Sequence, residues 1–191
     1  LTPEQEQLKQ TARDFARKEI IPIAGKYDEL EQVPFELMRK AWELGLMNFE
    51  VPQEYGGLGL SVLDTILCLE ELNYGCSGVA TIVAVNDLAM TPLLLAGNEA
   101  QKKQWLEPLL AGEIRSAFCM TEPDVASSDA TNMEATATVE GDEVVLNGRK
   151  WYASNIFHPL CEVLLVMGVS SPDGLRHQRH STILVPKDTP G

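Results

Sequence analysis

Two polar segments of the chain carry residue types that could hold a ligand. The first, Phe118 to Asp129, gathers hydroxyl groups, backbone donors and turn formers just after the helical patterning ends. A pyrophosphate or a planar heterocycle needs such donors, because its oxygens and nitrogens must be hydrogen-bonded once they leave water. The alternative is an ordinary turn in which Ser and Asp side chains bond their own backbone, and composition alone favours it.

The second segment, Arg149 to Asn155, places two adjacent aromatic residues beside a small hydroxyl residue. Trp151 and Tyr152 could form a wall against a planar cofactor, and Ser154 could donate a hydrogen bond to its edge. Packing of a core strand would explain the aromatic pair equally well. The spacing leaves both interpretations open.

A third candidate is the basic cluster between Gly174 and the last predicted strand. It consists of Arg176, His177, Arg179 and His180. The cluster could bind a phosphate, although a solvated loop is the more common state of such a run. Without a third His or a nearby Cys it does not match a metal site, and His158 is expected to be structural.

The composition places the chain among globular proteins. It has 191 residues, 45% of them apolar and 23% charged,. Its formal net charge of -13 disfavours nucleic acid and anionic membranes as partners,. The four cysteines form no C-x-x-C pair and no secretory segment is visible, which predicts reduced thiols in an intracellular protein,. The apolar stretch 78–97 contains Asn86, Asp87 and Pro92, which predicts a core helix and not an integral membrane segment.

Helices are expected to fill the first part of the chain. Thr2, Pro3 and Gln5 predict the capped start of a helix that Pro22 is expected to end. Apolar spacing near 3.6 residues predicts further helices at 34–44, 62–73, 79–95 and 99–110. The helix at 34–44 is predicted to bury Phe35, Met38 and Trp42, and Gly45 is predicted to mark its end,.

Strands replace helices from about Ile114 onward. Thr136–Val139 and Glu143–Leu146 flank a hairpin signal, and Asn147-Gly148 is the strongest two-residue turn signal. Further strands are predicted at Val163–Val166 and Thr182–Val185. The pattern predicts an α+β fold with a helical unit followed by a β unit. About five strands seldom close a β domain without an exposed edge, so the sequence is expected to be incomplete.

Several stretches resemble the acyl-CoA dehydrogenase family, in family order over essentially the whole chain. They are 41–46 (AWELGL), 55–60 (YGGLGL), 70–75 (EELNYG), 96–98 (AGN), 121–123 (TEP) and 146–148 (LNG). The resemblance implies an all-helical N-terminal domain at 1–113 and an incomplete, β-barrel-like middle domain at 114–191. A C-terminal four-helix domain would be missing from this chain. The implied activity is FAD-dependent α,β-dehydrogenation of a fatty acyl-CoA thioester, with electrons passed to an electron-transfer flavoprotein.

The resemblance also implies roles for individual residues. Phe118, Met120 and Thr121 match positions that line the flavin ring, and Thr121 is expected to hydrogen-bond its pyrimidine side. Ser128 matches the serine that contacts the FAD phosphate and the CoA portion of the substrate. Ser127 is a competing assignment, because this segment is longer than the common family pattern.

The second segment and the acyl pocket depart from the family pattern. Tyr152 stands where the family usually has Trp, and Ser154 replaces the Thr that reaches flavin N5, with Ala153 between them. Ala80 and Ala84 match positions where medium-chain enzymes carry Gln and Glu at the deep end of the acyl pocket. The smaller side chains predict an acyl tail longer than medium chain. The alternative is that bulkier neighbours fill the space.

In this family the catalytic base is a Glu of the C-terminal domain, so this chain is expected to hold no catalytic residue and to be inactive alone. By resemblance, Glu70 is expected to lie on a helix surface, Glu71 to take part in helix packing and Glu122 to stabilise a turn. Alternative functions are a flavin oxidase or monooxygenase on the same scaffold, and a non-catalytic module that binds FAD or acyl-CoA. We expect a role in fatty acid β-oxidation, a homotetramer or homodimer, and a bacterial cytoplasmic location, with the mitochondrial matrix as the alternative.

Overall fold

A computed structural model describes all 191 residues, and the chain divides into two compact units, Leu1–Ile114 and Arg115–Gly191. The first unit is helical. Its helices are α1 (Pro3–Phe15), α2 (Ile21–Glu29), α3 (Phe35–Glu43), α4 (Val62–Gly75), α5 (Ser77–Ala84), α6 (Asp87–Ala96), α7 (Glu99–Gln101) and α8 (Glu107–Leu110). Wide π-helical turns at Ala16–Ile20 and Lys102–Leu106 join α1 to α2 and α7 to α8.

The first helix begins as predicted but does not end at Pro22. Thr2 and Gln5 form the reciprocal capping box, with each backbone N–H donating to the other side chain. The chain then stays helical to Glu29, so the predicted end at Pro22 is wrong. The π-helical turn just before it, in which the Ile21 N–H bonds the Ala16 carbonyl, moves the backbone out of regular α-helical register. This turn relieves the clash that a proline ring causes inside a regular helix.

The core of the helical unit lies between α1, α3, α4 and α5. Its buried apolar residues include Ala12, Phe15, Ala16, Ile20, Leu37, Ala41, Phe49, Cys68, Leu72, Val79, Ala80 and Val83. The prediction that α3 buries Phe35 and Trp42 is wrong, because both side chains are exposed at the border of the buried face,. The Trp42 indole N–H donates to the Leu110 carbonyl at 2.9 Å, which fixes the ring at that border. Gly45, with φ +70°, follows the end of α3 as predicted,.

The long apolar stretch forms two helices where the sequence predicts one at 79–95. Helices α5 and α6 are separated at Val85 and Asn86. By length and composition, Ser77–Ala96 could cross a membrane, a test that core helices also pass. The residues that pack inside the protein come from both helices: Val79, Ala80, Val83, Ala89, Met90 and Leu93. The buried face therefore matches the predicted core helix.

The second unit is built on a five-stranded mixed sheet. Its strands are β1 (Arg115–Cys119), β2 (Thr136–Glu140), β3 (Glu143–Asn147), β4 (Cys161–Val169) and β5 (His180–Pro186). Strand β4 pairs in parallel with β1 and antiparallel with β5, and its Val169 pairs with Thr136 of β2. Strands β2 and β3 form the predicted hairpin, closed at the Glu140–Glu143 pair. All four cysteines are free thiols.

Candidate functional site

The two candidate segments meet in the second unit. The Trp151 backbone N–H donates to the Thr121 carbonyl at 3.1 Å. Beside it, the Lys150 ammonium donates to the Met120 carbonyl at 3.0 Å and to the Glu122 carboxylate at 2.7 Å. These contacts join stretches that lie far apart in sequence, so residues predicted to bind one ligand share one surface.

Glu122 is the group that organises this junction. Its side chain is buried, 5% exposed, and accepts the Glu134 and Ala135 backbone N–H groups at 2.8 and 3.0 Å. Its own N–H donates to the Ser127 hydroxyl at 3.0 Å. Burial alone would raise the carboxyl pKa, but the bonds from Lys150 and the two N–H groups outweigh it and hold the pKa below 4.5,. Glu122 thus ties the first segment, the second segment and the start of β2 together as an ionised structural carboxylate.

The other two glutamates also have structural contacts. Glu71 is buried on α4 and accepts two hydrogen bonds from the Arg13 guanidinium, at 2.6 and 2.8 Å. Glu70 is exposed beside it and pairs with Lys9 at 3.2 Å. The Arg13 bonds lower the Glu71 pKa against the effect of burial,. These contacts agree with the expected roles in helix packing and on a helix surface.

The aromatic pair lies outside the sheet. Residues 149–160 contain no strand, so the alternative in which a core strand holds Trp151 and Tyr152 is wrong. The chain leaves the sheet at Gly148. This glycine lies so close to Ala135 that an added Cβ would meet the Ala135 Cβ at 2.5 Å. The two rings lie 4.7 Å apart at 43°, and Tyr152 is 82% exposed. An aromatic face of this size turned to solvent is available to a planar ligand.

The backbone around the aromatic pair is unusual. Tyr152 and Asn155 have φ values of +52° and +71°, which non-glycine residues rarely adopt and which cluster at ligand sites,. Ser154 is exposed, and Ala153 packs on the cluster of Ala117, Cys119 and Cys161. The Asn155 side-chain nitrogen is buried without a hydrogen-bond partner.

The first segment leads out of the end of β1. Phe118 and Met120 are half-buried and, two residues apart, fall on the same side of the chain,. Thr121 is half-buried. Ser127 has its hydroxyl engaged by the Glu122 N–H, whereas Ser128 is exposed and its hydroxyl has no partner within the chain. The two serines are therefore not equivalent: only Ser128 offers an unused hydroxyl at the surface.

A surface cleft of about 480 Å³ adjoins this junction. Its lining residues are Glu122, Pro123, Asp124, Glu134, Ala135, Thr136, Asn147, Gly148 and Arg149. The sequence patterns indicated neither this cleft nor the half-buried Lys150. No local pattern separates Lys150 from the exposed Arg149 beside it, because only the fold supplies the Glu122 partner.

The basic cluster turns one of its guanidinium groups back onto the first segment. Arg176 donates to the Asp129 carboxylate at 2.6 Å and to the Thr131 hydroxyl at 2.8 Å. Arg179 reaches the Thr131 carbonyl at 3.5 Å. Hydrogen bonds from Thr131, supported by the nearby Arg176 charge, lower the pKa of Asp129. Arg176 is exposed, as expected for a solvated loop, but it is bonded to protein groups.

His158 is buried at the other end of β1, near a buried cation. Its Nδ1 accepts the Leu160 N–H at 3.0 Å. Burial, with the charges of Arg115 and Lys187, lowers its pKa to about 4. Arg115 is 5% exposed, and its Nε and Nη1 atoms have no partner. His158 is neutral at pH 7 and structural, and no group of three or more His, Cys, Asp or Glu side chains in the chain could hold a metal ion.

The predicted acyl-pocket residues belong to the helical unit. Ala80 and Ala84 lie one turn apart on α5. Ala80 is part of the apolar core, beside Val79 and Val83, and Ala84 is half-buried. All the predicted cofactor residues belong to the second unit.

Comparisons with known proteins agree with this organisation. The profile described as acyl-CoA dehydrogenase, N-terminal domain, matches residues 2–113, and the one described as acyl-CoA dehydrogenase, middle domain, matches residues 117–191. A Caenorhabditis briggsae protein named "Probable medium-chain specific acyl-CoA dehydrogenase 2, mitochondrial" is 34% identical over 100% of this chain, which covers 47% of that protein. Acyl-CoA dehydrogenase family member 11 of Mus musculus is 47% identical over 150 residues, 77% of this chain and 19% of that protein.

Among solved structures, a Mycobacterium smegmatis glutaryl-CoA dehydrogenase in complex with FADH2 matches 100% of this chain with a TM-score of 0.88 and 30% identity. The chain covers 47% of that structure. This chain therefore spans half or less of the length of these relatives. The two profiles together cover nearly every residue, and the chain belongs to the acyl-CoA dehydrogenase family.

Proposed function

We propose that the whole protein is an FAD-dependent dehydrogenase of fatty acyl-CoA thioesters that passes electrons to an electron-transfer flavoprotein. In this proposal the second unit forms one wall of the flavin site. The observation that carries it is the Thr121–Trp151 backbone bond, which brings an aromatic face and hydroxyl groups together on one surface. The FADH2 bound by the Mycobacterium smegmatis glutaryl-CoA dehydrogenase supports the choice of cofactor.

The residues at the junction fit a flat ring. Tyr152 offers an exposed aromatic face, and Ser154 adds an exposed hydroxyl. Phe118, Met120 and Thr121 lie on the other segment, and the half-buried Ala153 links Tyr152 to Ser154,. FAD, when bound, would supply the hydride acceptor, while these side chains bind and orient it and exclude water.

Ser128 is the better of the two serines for a phosphate contact. The Ser127 hydroxyl already accepts the Glu122 N–H, so moving it onto a ligand would leave that buried donor unpaired,. The Ser128 hydroxyl makes no competing bond. We assign the phosphate and CoA contact to Ser128.

The catalytic base is assigned to a part of the protein outside this chain. The two buried glutamates, Glu71 and Glu122, accept hydrogen bonds from cations, and those bonds lower their pKa values. A carboxylate with a lowered pKa is a weaker proton acceptor, which argues against either residue as the general base. The chain alone is proposed to be inactive, with its domain boundary at 113/114. A homotetramer or homodimer acting in fatty acid β-oxidation, in bacterial cytoplasm or the mitochondrial matrix, completes the proposal.

The acyl chain is proposed to be longer than medium chain, because Ala80 and Ala84 are small. Faster turnover of palmitoyl-CoA than of octanoyl-CoA by the full-length protein would support this. Faster turnover of octanoyl-CoA would instead support the alternative, in which core residues packed around the buried Ala80 already fill the space.

The test of function is the visible flavin spectrum of the full-length protein, recorded without oxygen before and after adding palmitoyl-CoA. Bleaching with a new long-wavelength charge-transfer band supports the dehydrogenase, whereas rapid oxygen consumption on aeration indicates an oxidase or monooxygenase. An unchanged spectrum with flavin and palmitoyl-CoA both bound would point to the non-catalytic binding module.

A matched pair of variants tests the site. Tyr152→Ala is expected to raise the dissociation constant of FAD about threefold to tenfold, the worth of one aromatic contact. Tyr74→Ala removes a similarly exposed tyrosine from α4 and is expected to leave it unchanged. Equal affinities in both variants would contradict the assignment of Tyr152.

A further inference from the structure

The loop that carries Ser128 is held at its far end by the connection between β4 and β5. Asp129, the next residue, accepts the Thr131 backbone N–H at 3.0 Å and the Thr131 hydroxyl at 2.6 Å. Arg176 donates one hydrogen bond from Nε to the Thr131 hydroxyl and one from Nη2 to the Asp129 carboxylate. Three groups thus close a small polar ring immediately after Ser128.

Ser128 also lies inside a turn that the Asp129 N–H closes on the Ala126 carbonyl at 3.2 Å, and Arg179 reaches the Thr131 carbonyl at 3.5 Å. Beyond these bonds the loop has little regular structure to hold it. Residues between β1 and β2 form no strand, and their regular structure is the short 3-10 turn Ala130–Asn132. On the other side of Ser128, the Ser127 hydroxyl is fixed by the buried Glu122. The Ser128 hydroxyl lies between two anchors, one buried and one formed by Arg176.

A planar guanidinium suits this position better than an ammonium. Arg176 makes two parallel contacts in a fixed geometry, to a carboxylate and to a hydroxyl, which a point charge cannot reproduce. The contact also joins residues 45 and 47 positions apart in sequence, so it restricts the loop relative to the sheet.

We propose that Arg176 is a positioning residue for the cofactor: by bonding Asp129 and Thr131, it holds the Ser128 hydroxyl where it can bind the FAD phosphate. The proposal rests on the proposed function of this site. Arg176 acts through the loop and touches no reacting atom.

The test uses the full-length protein with Arg176→Met, Arg176→Lys and Asp129→Asn. The FAD dissociation constant is measured by titrating the apoprotein, and hydrogen exchange of the apoprotein reports the Thr131 amide. Arg176→Met is expected to raise the dissociation constant about tenfold and to speed exchange at Thr131, because the loop loses its anchor. Arg176→Lys should fall between wild type and Arg176→Met, and adding Asp129→Asn to Arg176→Met should cause little further loss.

Arg39→Met is the matched control. The Arg39 side chain is 59% exposed, against 60% for Arg176, and it also makes two ionic contacts, to Glu36 and Glu43 on α3. The Arg39→Met variant should leave the FAD dissociation constant unchanged. A purely structural role of Arg176 would lower apoprotein stability without a specific loss of FAD affinity.

The outcomes separate this inference from the function on which it rests. If wild type binds FAD and Arg176→Met binds it equally well, the positioning role is wrong and the proposed function stands. If wild type binds no FAD, both fail. Equal losses in Arg176→Met and Arg176→Lys, with unchanged exchange at Thr131, would also overturn the positioning role.

Discussion

Replacing Glu122 by Gln tests whether one buried carboxylate holds the candidate site together. Three donors converge on its two oxygens: the Glu134 N–H on Oε2, and the Ala135 N–H and the Lys150 ammonium on Oε1. A glutamine keeps one acceptor oxygen and turns an NH2 group towards the remaining donor. It also leaves the Lys150 ammonium, whose side chain is 13% exposed, without its counter-charge.

The expected loss follows from these contacts. A hydrogen bond to a charged group contributes about 1.5–3 kcal/mol, and removing one partner of a buried ion pair costs about 3–5 kcal/mol. Because the glutamine keeps some of the bonds and Lys150 keeps the Met120 carbonyl, we expect Glu122→Gln to destabilise residues 115–191 by about 3 kcal/mol. Native-state hydrogen exchange of the strand amides measures this unit separately from the helices.

Glu134→Gln is the control, since Glu134 is exposed and only its backbone contacts Glu122. It should change stability by less than about 0.5 kcal/mol. A loss below about 1 kcal/mol in Glu122→Gln, with slow exchange retained at the Glu134 and Ala135 amides, would refute the organising role of this carboxylate.

The pH dependence provides a second check. The pKa of Glu122 is lowered in the folded protein, so its contribution is present above the ordinary value of 4.5 and is lost as pH falls through the folded pKa,. The stability difference between wild type and Glu122→Gln should therefore be full at pH 7 and shrink below pH 4.5. A difference that stays constant down to strongly acidic pH would contradict the ionised state.

Three further changes have expected signs. Unfolded His158 takes up a proton below pH 6.5, whereas folded His158 does so only near its pKa of about 4. The free energy of unfolding should therefore fall by up to about 3 kcal/mol as the pH is lowered from 6.5 to 4, and pH-dependent denaturation of His158→Gln should lack that fall,. Arg115→Met removes a buried guanidinium whose Nε and Nη1 atoms have no partner, and it should raise the free energy of unfolding of this chain by about 1 kcal/mol in urea titration,. A decrease would show that the remaining contacts of this guanidinium stabilise the fold. Gly148→Ala should destabilise the second unit by about 2 kcal/mol in hydrogen exchange, because its Cβ would meet Ala135 at 2.5 Å; an unchanged exchange pattern would contradict that close approach,.

Features that depend on neighbouring residues were predictable. The capping box at Thr2 and Gln5, the hairpin of β2 and β3, and the glycine after α3 each follow from a few adjacent residues. Predictions that required a distant partner were less successful. Pro22 stays in a helix because a π-helical turn precedes it, and Trp42 lies at the border of the core because its indole bonds Leu110.

The candidate site shows the same division. The sequence identified both segments, and family resemblance suggested roles for their residues. It could not show that Trp151 bonds Thr121, nor that the aromatic pair lies outside the sheet. It also left Ser127 as a competing candidate beside Ser128, a choice that depends on whether the Glu122 N–H already engages one hydroxyl.

The sequence by itself therefore determined the fold class, the family and the two segments, because periodicity, capping and motifs are local properties of a chain. Only the tertiary structure decided which polar groups are satisfied by the protein and which remain available. The roles of Glu122, Lys150 and Arg176 depend on partners between 12 and 47 positions away, and no local pattern encodes those distances. Burial gives the Glu122–Lys150 contact its weight, because an unpaired charge inside a protein is costly,. The exposed Arg176 contributes instead through the fixed geometry of its two bonds to the loop,.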